Sequence, residues 1–361
     1  MRPNTFSYFA LVDRDKAPGV VKKIASTALA AENLGLNASC KLYSTTASGA
    51  IDLVISLLKD KADVIMIRFS DLIFPVLFFA ILIKRIRGSK IIIDIPTPRV
   101  VVLKELDIAI RNPIKRGFRK ALMYFSAAWV LYPAHKIVQY ADEGLWFSWG
   151  VEKKTKKIGN GIVIDEKIPL TKSHWPDDEL RLIGVAQLAS WHGYDRLISA
   201  LATLKNKQDC GNVRLTIVGA GNDSSVLKSL VYELKLQDRV SFTGMLTGSE
   251  LDKAFESAHV GISSLGLYRK GLNEASDLKT REYMARGLSV IGVGKDPDFD
   301  DDSPFRFVVA NDNSTADLAE LISSFGKRKL PLPEEVRRFA KEKLSLEGKL
   351  SDILDMGWVC D

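Results

Sequence analysis

Two glutamates and a group of cations between them are the residues of this chain best placed to do chemistry. In the stretch 271–291, GLNEASDLKTREYMARGLSVI, seven residues separate Glu274 from Glu282, and Ser276, Lys279 and Arg281 fall in the interval. A helix starting near Asp277, with Ser276 as a candidate cap, puts Glu274 in the preceding loop and Glu282 in the second turn. The first turn of a helix presents unpaired N–H groups and the positive end of the helix dipole, which suit phosphate oxygens. Lys279 and Arg281 add charge at that end, while carboxylates accept hydrogen bonds from the hydroxyls of a ribose or a sugar. These types at this spacing fit a sugar-nucleotide cradle. A solvated, charged helix is the competing reading.

A second candidate lies at 184–201, GVAQLASWHGYDRLISAL, where a strand ends near Leu188 and a loop carries Trp191, His192 and Gly193. Gly193 permits close approach of a backbone to a ligand, and Arg196 falls in the first turn of the following helix. A cation there opposes the dipole, so it either meets an anion or pairs with Asp195 on the surface. The run IVGAGND (217–223) opens like a dinucleotide fingerprint but has Ser224 where the third glycine belongs, so it reads as a tight strand-to-helix turn. The histidines at 135, 174, 192 and 259 lack metal-ligand spacing, and the aspartates of 296–302 read as a solvated turn. No metal site and no nicotinamide or flavin cofactor is expected.

The elements that must position these residues alternate between strand and helix in both halves. Strands are expected at 6–12, 63–69 and 90–95, then at 181–186, 214–219, 240–244, 259–264 and 288–293. Helical spacing covers 20–34 and 50–58, and further helices start near Tyr194, Ser224, Ser249 (a candidate N-cap) and Asp277. This alternation predicts α/β architecture: two Rossmann-like, doubly wound parallel sheets facing a cleft. The polar, turn-rich segment 159–178 is the expected linker, dividing a domain of 1–165 from one of 166–335. Residues 336–361 are expected to return as a helix to the first domain.

The chain has 361 residues, enough for two cores, and its 46% hydrophobic and 26% charged residues exclude a disordered or fibrous protein. Three scattered cysteines, Cys40, Cys210 and Cys360, argue against a disulfide framework and fit a reducing compartment. The start of the chain lacks a secretory pattern, and the apolar run 72–83 is too short for a membrane span and reads as a buried helix.

Net charge is +7 but unevenly placed. Residues 1–165 carry 25 Lys and Arg against 14 Asp and Glu, and residues 166–361 carry 26 against 30. The excess lies in the first half, where 111–129 reads as an amphipathic helix begun by Asn112 and Pro113. Ile114, Phe118, Leu122, Phe125 and Trp129 share one face, with Lys115, Arg116, Arg119 and Lys120 elsewhere. Two readings stay open: contact with a membrane surface, or a core-facing helix with a solvated basic side.

In order along the second half, NGI (160–162), WHGYDR (191–196), IVGAG (217–221), VSFTG (240–244) and the Glu274–Glu282 pair followed by EYMARGLSVI resemble the group 1 (family 4) glycosyltransferases of GT-B fold. SLGLYRKGLNEASDLKTREYMARG is similar to enzymes of bacterial capsule, exopolysaccharide and O-antigen synthesis, and IDIPTP (93–98) is similar to their N-terminal domain. The resemblance implies retaining, metal-independent transfer from a nucleotide-diphosphate sugar, with a UDP-sugar favoured, to a lipid-linked saccharide held by the first domain. Glu274 then contacts the donor sugar and Glu282 the ribose. The family's basic diphosphate pair is replaced here by Gln187 and His192, so Arg196, Lys279 and Arg269 are the expected substitutes. Arg281, Ser276, His192 and Gly193 join the donor site, and Gly19 stands in for the glycine-rich first loop. The implied setting is the cytoplasmic face of the cell membrane, reached through the basic first half, with no nucleic acid as partner. A nucleotide-sugar epimerase of the same fold and a nonenzymatic basic scaffold or nucleic-acid binder are the competing functions.

Overall fold

The computed structural model describes residues 4–15, 17–172, 179–205 and 212–355. His174, Cys210, Cys360 and the last residues of the expected linker, 173–178, lie outside the described residues. The chain forms two compact units, one made of residues up to Gly159 together with the segment from Leu346, the other of Asn160–Ser345.

In the first unit the order is β1 (Thr5–Leu11), α1 (Pro18–Asn33), β2 (Asn37–Tyr43), α2 (Ala47–Lys59), β3 (Val64–Arg68), α3 (Phe74–Ile86), β4 (Lys90–Ile95), α4 (Arg99–Ala109), α5 (Pro113–Ser126), β5 (Lys136–Gln139), α6 (Leu145–Ser148) and β6 (Thr155–Lys157). All pairings are parallel, in the order β2-β1-β3-β4-β5-β6. The central strands are apolar and β-branched because helices cover both faces: Ile65, Ile67, Ile91, Ile93 and Ile137 form a core with Leu53 and Leu57 of α2 and Leu77 and Ile81 of α3. Right-handed crossovers place α1 on one face of the sheet and α2 through α6 on the other.

The second unit comprises β7 (Glu179–Val185), α7 (Tyr194–Lys205), β8 (Asn212–Val218), α8 (Ser224–Glu233), β9 (Val240–Gly244), α9 (Gly248–Glu256), β10 (Val260–Ile262), α10 (Leu278–Ala285), β11 (Ser289–Val293), β12 (Arg306–Val309), α11 (Ala316–Ser324) and α12 (Pro333–Phe339). Its sheet is also parallel, ordered β12-β11-β10-β7-β8-β9, so the chain reverses direction across the sheet between β7 and β10. Such a switch point leaves a crevice at the carboxyl ends of the two strands. The last helix, α13 (Leu346–Asp355), belongs to the first unit, where Asn33 of α1 donates to Glu347 at 3.1 Å and Lys136 to the Ile353 carbonyl at 2.6 Å.

Several expectations need correction. The unit boundaries fall after Gly159 and after Ser345, not at 165 and 335. Asn160 is tied into the second unit by hydrogen bonds to Ser276 and from Arg281, and Arg337 of α12 donates to the Ala285 carbonyl at 2.7 Å. The strands β2, β5, β6 and β12 were not expected. Three of them are sheet edges and β5 is short, so none shows a sustained apolar pattern. Thr247 occupies the N-cap of α9 and Asp277 that of α10, in place of Ser249 and Ser276. Asn112 does cap α5, accepting from the Ile114 and Lys115 N–H groups. The run 72–83 becomes most of α3, but only one face is buried; Val76, Phe79, Ile83 and Ile86 are exposed.

Candidate functional site

The site forms where β7, β8 and β10 end, because glycines let their three loops pack backbone to backbone. After β7 the chain makes a short turn through Ser190–His192 and enters Gly193 at φ +64°. A Cβ on Gly193 would stand 2.7 Å from the Leu265 carbonyl carbon. The Leu265 and Gly266 N–H groups donate to the His192 and Trp191 carbonyls at 2.9 and 3.2 Å, joining the loops after β7 and β10. On the other side Gly219, at φ +128°, leaves no room for a side chain: its Cβ would lie 1.9 Å from the Ala186 oxygen. IVGAG is therefore a close-packed turn, in keeping with its missing third glycine.

Around this seam the polar side chains converge. Ser263 Oγ and the Ser264 N–H donate to Asp277 Oδ2 at 3.0 and 3.3 Å. Lys279 Nζ lies 2.8 Å from His192 Nδ1, which is also 3.3 Å from Ser264 Oγ. Beside a lysine ammonium, Nδ1 serves as the acceptor, which assigns the imidazole proton to Nε2. Burial, reinforced by the Lys279 charge, lowers His192 to about 4 despite Asp277 and a hydrogen bond to the Gln187 backbone, so the ring is neutral at pH 7. Burial lowers Lys279 to about 8, with Asp277 opposing the shift. Burial works against ionised Asp277 too, yet Lys279 and the two serines hold it below the ordinary carboxylate range. The result is a cation held at the first turn of α10 between a carboxylate and a neutral imidazole. It adds to the dipole of the same turn.

The glutamates flank this cation along the chain. Glu274 is half-buried in the loop before α10, which is pinned to the end of β11 by the Ala275 N–H to the Lys295 carbonyl (3.0 Å) and the Lys295 N–H to the Asn273 carbonyl (2.8 Å). Glu282 lies three residues after Lys279, so the two share a side of the helix. Its carboxylate is partly exposed, 3.7 Å from the Arg286 guanidinium.

Other expected site residues are placed elsewhere. Arg196 is only 1% exposed, and its guanidinium donates to the carbonyls of Leu265, Ala310 and Ser314, so it braces loops and has no face for an anion. Arg281, 0% exposed, is held by Asp296 and Asp298 and donates to the Asn160 carbonyl. That ion pair also corrects the expected solvated turn at 296–302. Ser276 Oγ accepts from the Asn160 N–H at 2.5 Å, locking the NGI segment to α10. Arg269 forms a two-pronged pair with Asp195, at 2.9 and 2.6 Å, which raises its pKa and occupies its donors. Gly19 is exposed in the first turn of α1, in the first unit, with open space around its Cα. Ser263, Ser264 and Asp277 were not among the expected site residues. Their signal was two small hydroxyl residues ending a buried strand, which only becomes meaningful once Asp277 is known to reach them.

Among the described residues no group of His, Cys, Asp or Glu could hold a metal ion, and no helix is long and apolar enough to cross a membrane.

Two parallel, helix-covered sheets with a switch-point crevice define a GT-B protein, and the comparisons agree. The lipopolysaccharide outer core galactosyltransferase WaaB (apo form) superposes with a TM-score of 0.63 at 10% identity, over 97% of this chain and 98% of its own. Anabaena HepE in complex with UDP superposes with a TM-score of 0.64 at 14% identity, over 96% and 98%. Residues 167–343, nearly all of the second unit, match the family of glycosyl transferases group 1. An uncharacterized glycosyltransferase of Methanocaldococcus jannaschii is 32% identical over 150 residues; the match spans 39% of this chain and about a third (36%) of that relative.

Proposed function

We propose that this protein is a retaining, metal-independent glycosyltransferase. It takes a sugar from a nucleotide diphosphate, with UDP favoured, and transfers it to a lipid-linked saccharide at the cytoplasmic membrane face during surface polysaccharide synthesis. The observation that carries the donor half of this reading is Lys279, presented with the first turn of α10, against the His192 ring and in the field of Asp277. The expected Arg–Lys pair is absent from the loop after β7, where the residues are Gln187 and His192. Lys279, 2.8 Å from the His192 ring, supplies a charge from the first turn of α10. A fold neighbour solved with UDP, and again with UDP-glucose, fits a donor of this class.

In the reaction the bond from the anomeric carbon to the phosphate oxygen breaks, the acceptor hydroxyl oxygen bonds to that carbon on the same face, and its proton passes to the departing phosphate. Negative charge grows on the diphosphate, where a preorganised ammonium and helix dipole stabilise the transition state more than the ground state. Glu274 receives the sugar hydroxyls and Glu282 the ribose hydroxyls.

The acceptor half rests on α5. Its apolar face points to solvent: Ile114, Phe118 and Phe125 are 81%, 69% and 67% exposed, which favours the membrane-surface reading over the core-facing one. Calorimetry with UDP, GDP and TDP tests the donor reading. UDP binding is expected, weakened in Glu282→Ala and retained in Glu274→Ala, whose turnover falls instead. Absence of binding by all three nucleotides, or unaltered UDP binding by Glu282→Ala, overturns it.

A further inference from the structure

The first unit contains a cavity of about 490 Å³ between α2 and α3, at the carboxyl ends of β1 and β3. Ala50, Ile51, Val54 and Ile55 line it from α2, and Leu72 and Val76 line it from the α3 side. The polar groups on its wall are neutral hydroxyls, Thr45, Thr46 and Ser70, in the loops at the sheet edge. No charged side chain lines it, so its interior suits an apolar group, with any polar end left at the hydroxyl-lined edge. At roughly 30 Å³ for a water-sized group, the space suits a chain on the order of ten to fifteen methylenes.

The surroundings specify where such a chain comes from. Val76 is both a cavity wall and the first member of the exposed α3 stripe that continues through Phe79, Ile83 and Ile86. From α3 a line of ring contacts, Phe79–Phe78, Phe78–Trp129 and Trp129–Phe125, with centroids 5.4, 5.1 and 5.9 Å apart, leads to the exposed apolar face of α5. Trp146 Nε1 donates to the Tyr124 carbonyl at 2.9 Å and carries the surface on to exposed Leu145 and Trp149. Right-handed crossovers put all of these on one face of the sheet. Arg87, just past the end of α3, and Lys115 of α5 are exposed, within the half of the chain that carries the positive excess. Apolar and tryptophan side chains mixed with cations match the interface of an anionic bilayer.

We infer that the cavity between α2 and α3 holds the hydrocarbon chain of the acceptor lipid, drawn from the bilayer while the lipid's polar end stays at the Thr45–Thr46–Ser70 edge. This rests on the membrane-surface reading above and adds a specific lipid site to it. Dodecyl phosphate below its micelle concentration is the probe, with inorganic phosphate as control, followed by calorimetry. The full-length protein is expected to bind the alkyl phosphate and not the inorganic ion. Val54→Phe, which fills the cavity, is expected to weaken binding at least tenfold. Ile55→Asn, a partly exposed rim change that the fold tolerates, is expected to weaken it at least threefold, and UDP binding stays unchanged in both. Equal binding of dodecyl phosphate by wild type and both variants, or no binding by wild type, overturns the inference. Sedimentation with anionic vesicles separates the two readings. Sedimentation without alkyl phosphate binding leaves membrane attachment standing and removes the lipid site. Alkyl phosphate binding without sedimentation supports the site and removes the attachment.

Discussion

At the carboxyl edge of the β7–β12 sheet, glycines draw three loops together around Asp277, Lys279 and His192. At the carboxyl edge of the β1–β6 sheet, the loops stand around an apolar cavity. Both edges follow the same strand-loop-helix plan. The helices differ as well: α2, α3, α5 and α6 expose Ile, Phe and Trp side chains, whereas the exposed large apolar side chains of the second unit are spread singly, as at Val226, Tyr232 and Met245. Single exposed apolar residues are ordinary for a soluble surface, and a connected band of them marks an interaction site. One backbone plan thus presents a charged edge in one unit and an apolar edge in the other, the contrast on which the proposed donor and acceptor roles rest.

The largest expected effect falls on the donor edge. Lys279→Ala removes the fixed charge and should reduce transfer by about a hundredfold or more, as loss of one transition-state donor does elsewhere. Phe79→Ser, on the other edge, should leave turnover of a soluble short-chain acceptor unchanged. Equal losses in the two variants break the division of labour. Next in size is Gly219→Ala, which sets a Cβ against the Ala186 oxygen and should cost roughly 2 kcal/mol or more of stability, read from urea unfolding. A Gly19→Ala change on α1 meets nothing within 4 Å and should be close to neutral. Reversing Lys115, Arg116, Arg119 and Lys120 should lower sedimentation with anionic vesicles severalfold and leave UDP affinity intact. Because Arg119 pairs with Asp71 and Lys120 with Asp107, reversing Lys115 alone should account for a disproportionate share of the loss.

The smallest effect is the dependence on pH. His192 has a folded value of about 4 against an ordinary 6.5, so the unfolded chain binds more protons between these values. Stability should therefore fall as pH drops from 6.5 towards 4, and His192→Gln should flatten that slope in thermal unfolding. Lys279 titrates near 8, so UDP affinity should decline above that pH while wild-type stability gains slightly as the buried charge is removed.

Much of this was readable from the residues. KIIIDI and LSVIGV announce buried parallel strands because β-branched runs cannot face water on either side. The Glu274–Glu282 spacing around a helix start pointed to the α10 loop, and the charge split separated the two units. The edge strands β2 and β12 were not readable, because β2 keeps polar residues along a sheet edge and β12 is only four residues long. Nor was the sorting of cations: Arg196, Arg269, Arg281 and Lys279 look alike in a sequence. Three of them turned out to brace loops, because each lies within reach of carbonyls or carboxylates supplied by distant segments.

The order of residues alone was enough for the alternation of elements, the family resemblance of the second unit, the candidate glutamates and the uneven charge. These depend on local pattern and composition, which survive in one dimension. Tertiary structure alone decided which cation stands at the first turn of α10, why His192 is neutral, and that the apolar face of α5 points outward. Each depends on what a side chain meets across the fold, and burial and distance to a partner are fixed only when the strands have been ordered and the loops brought together.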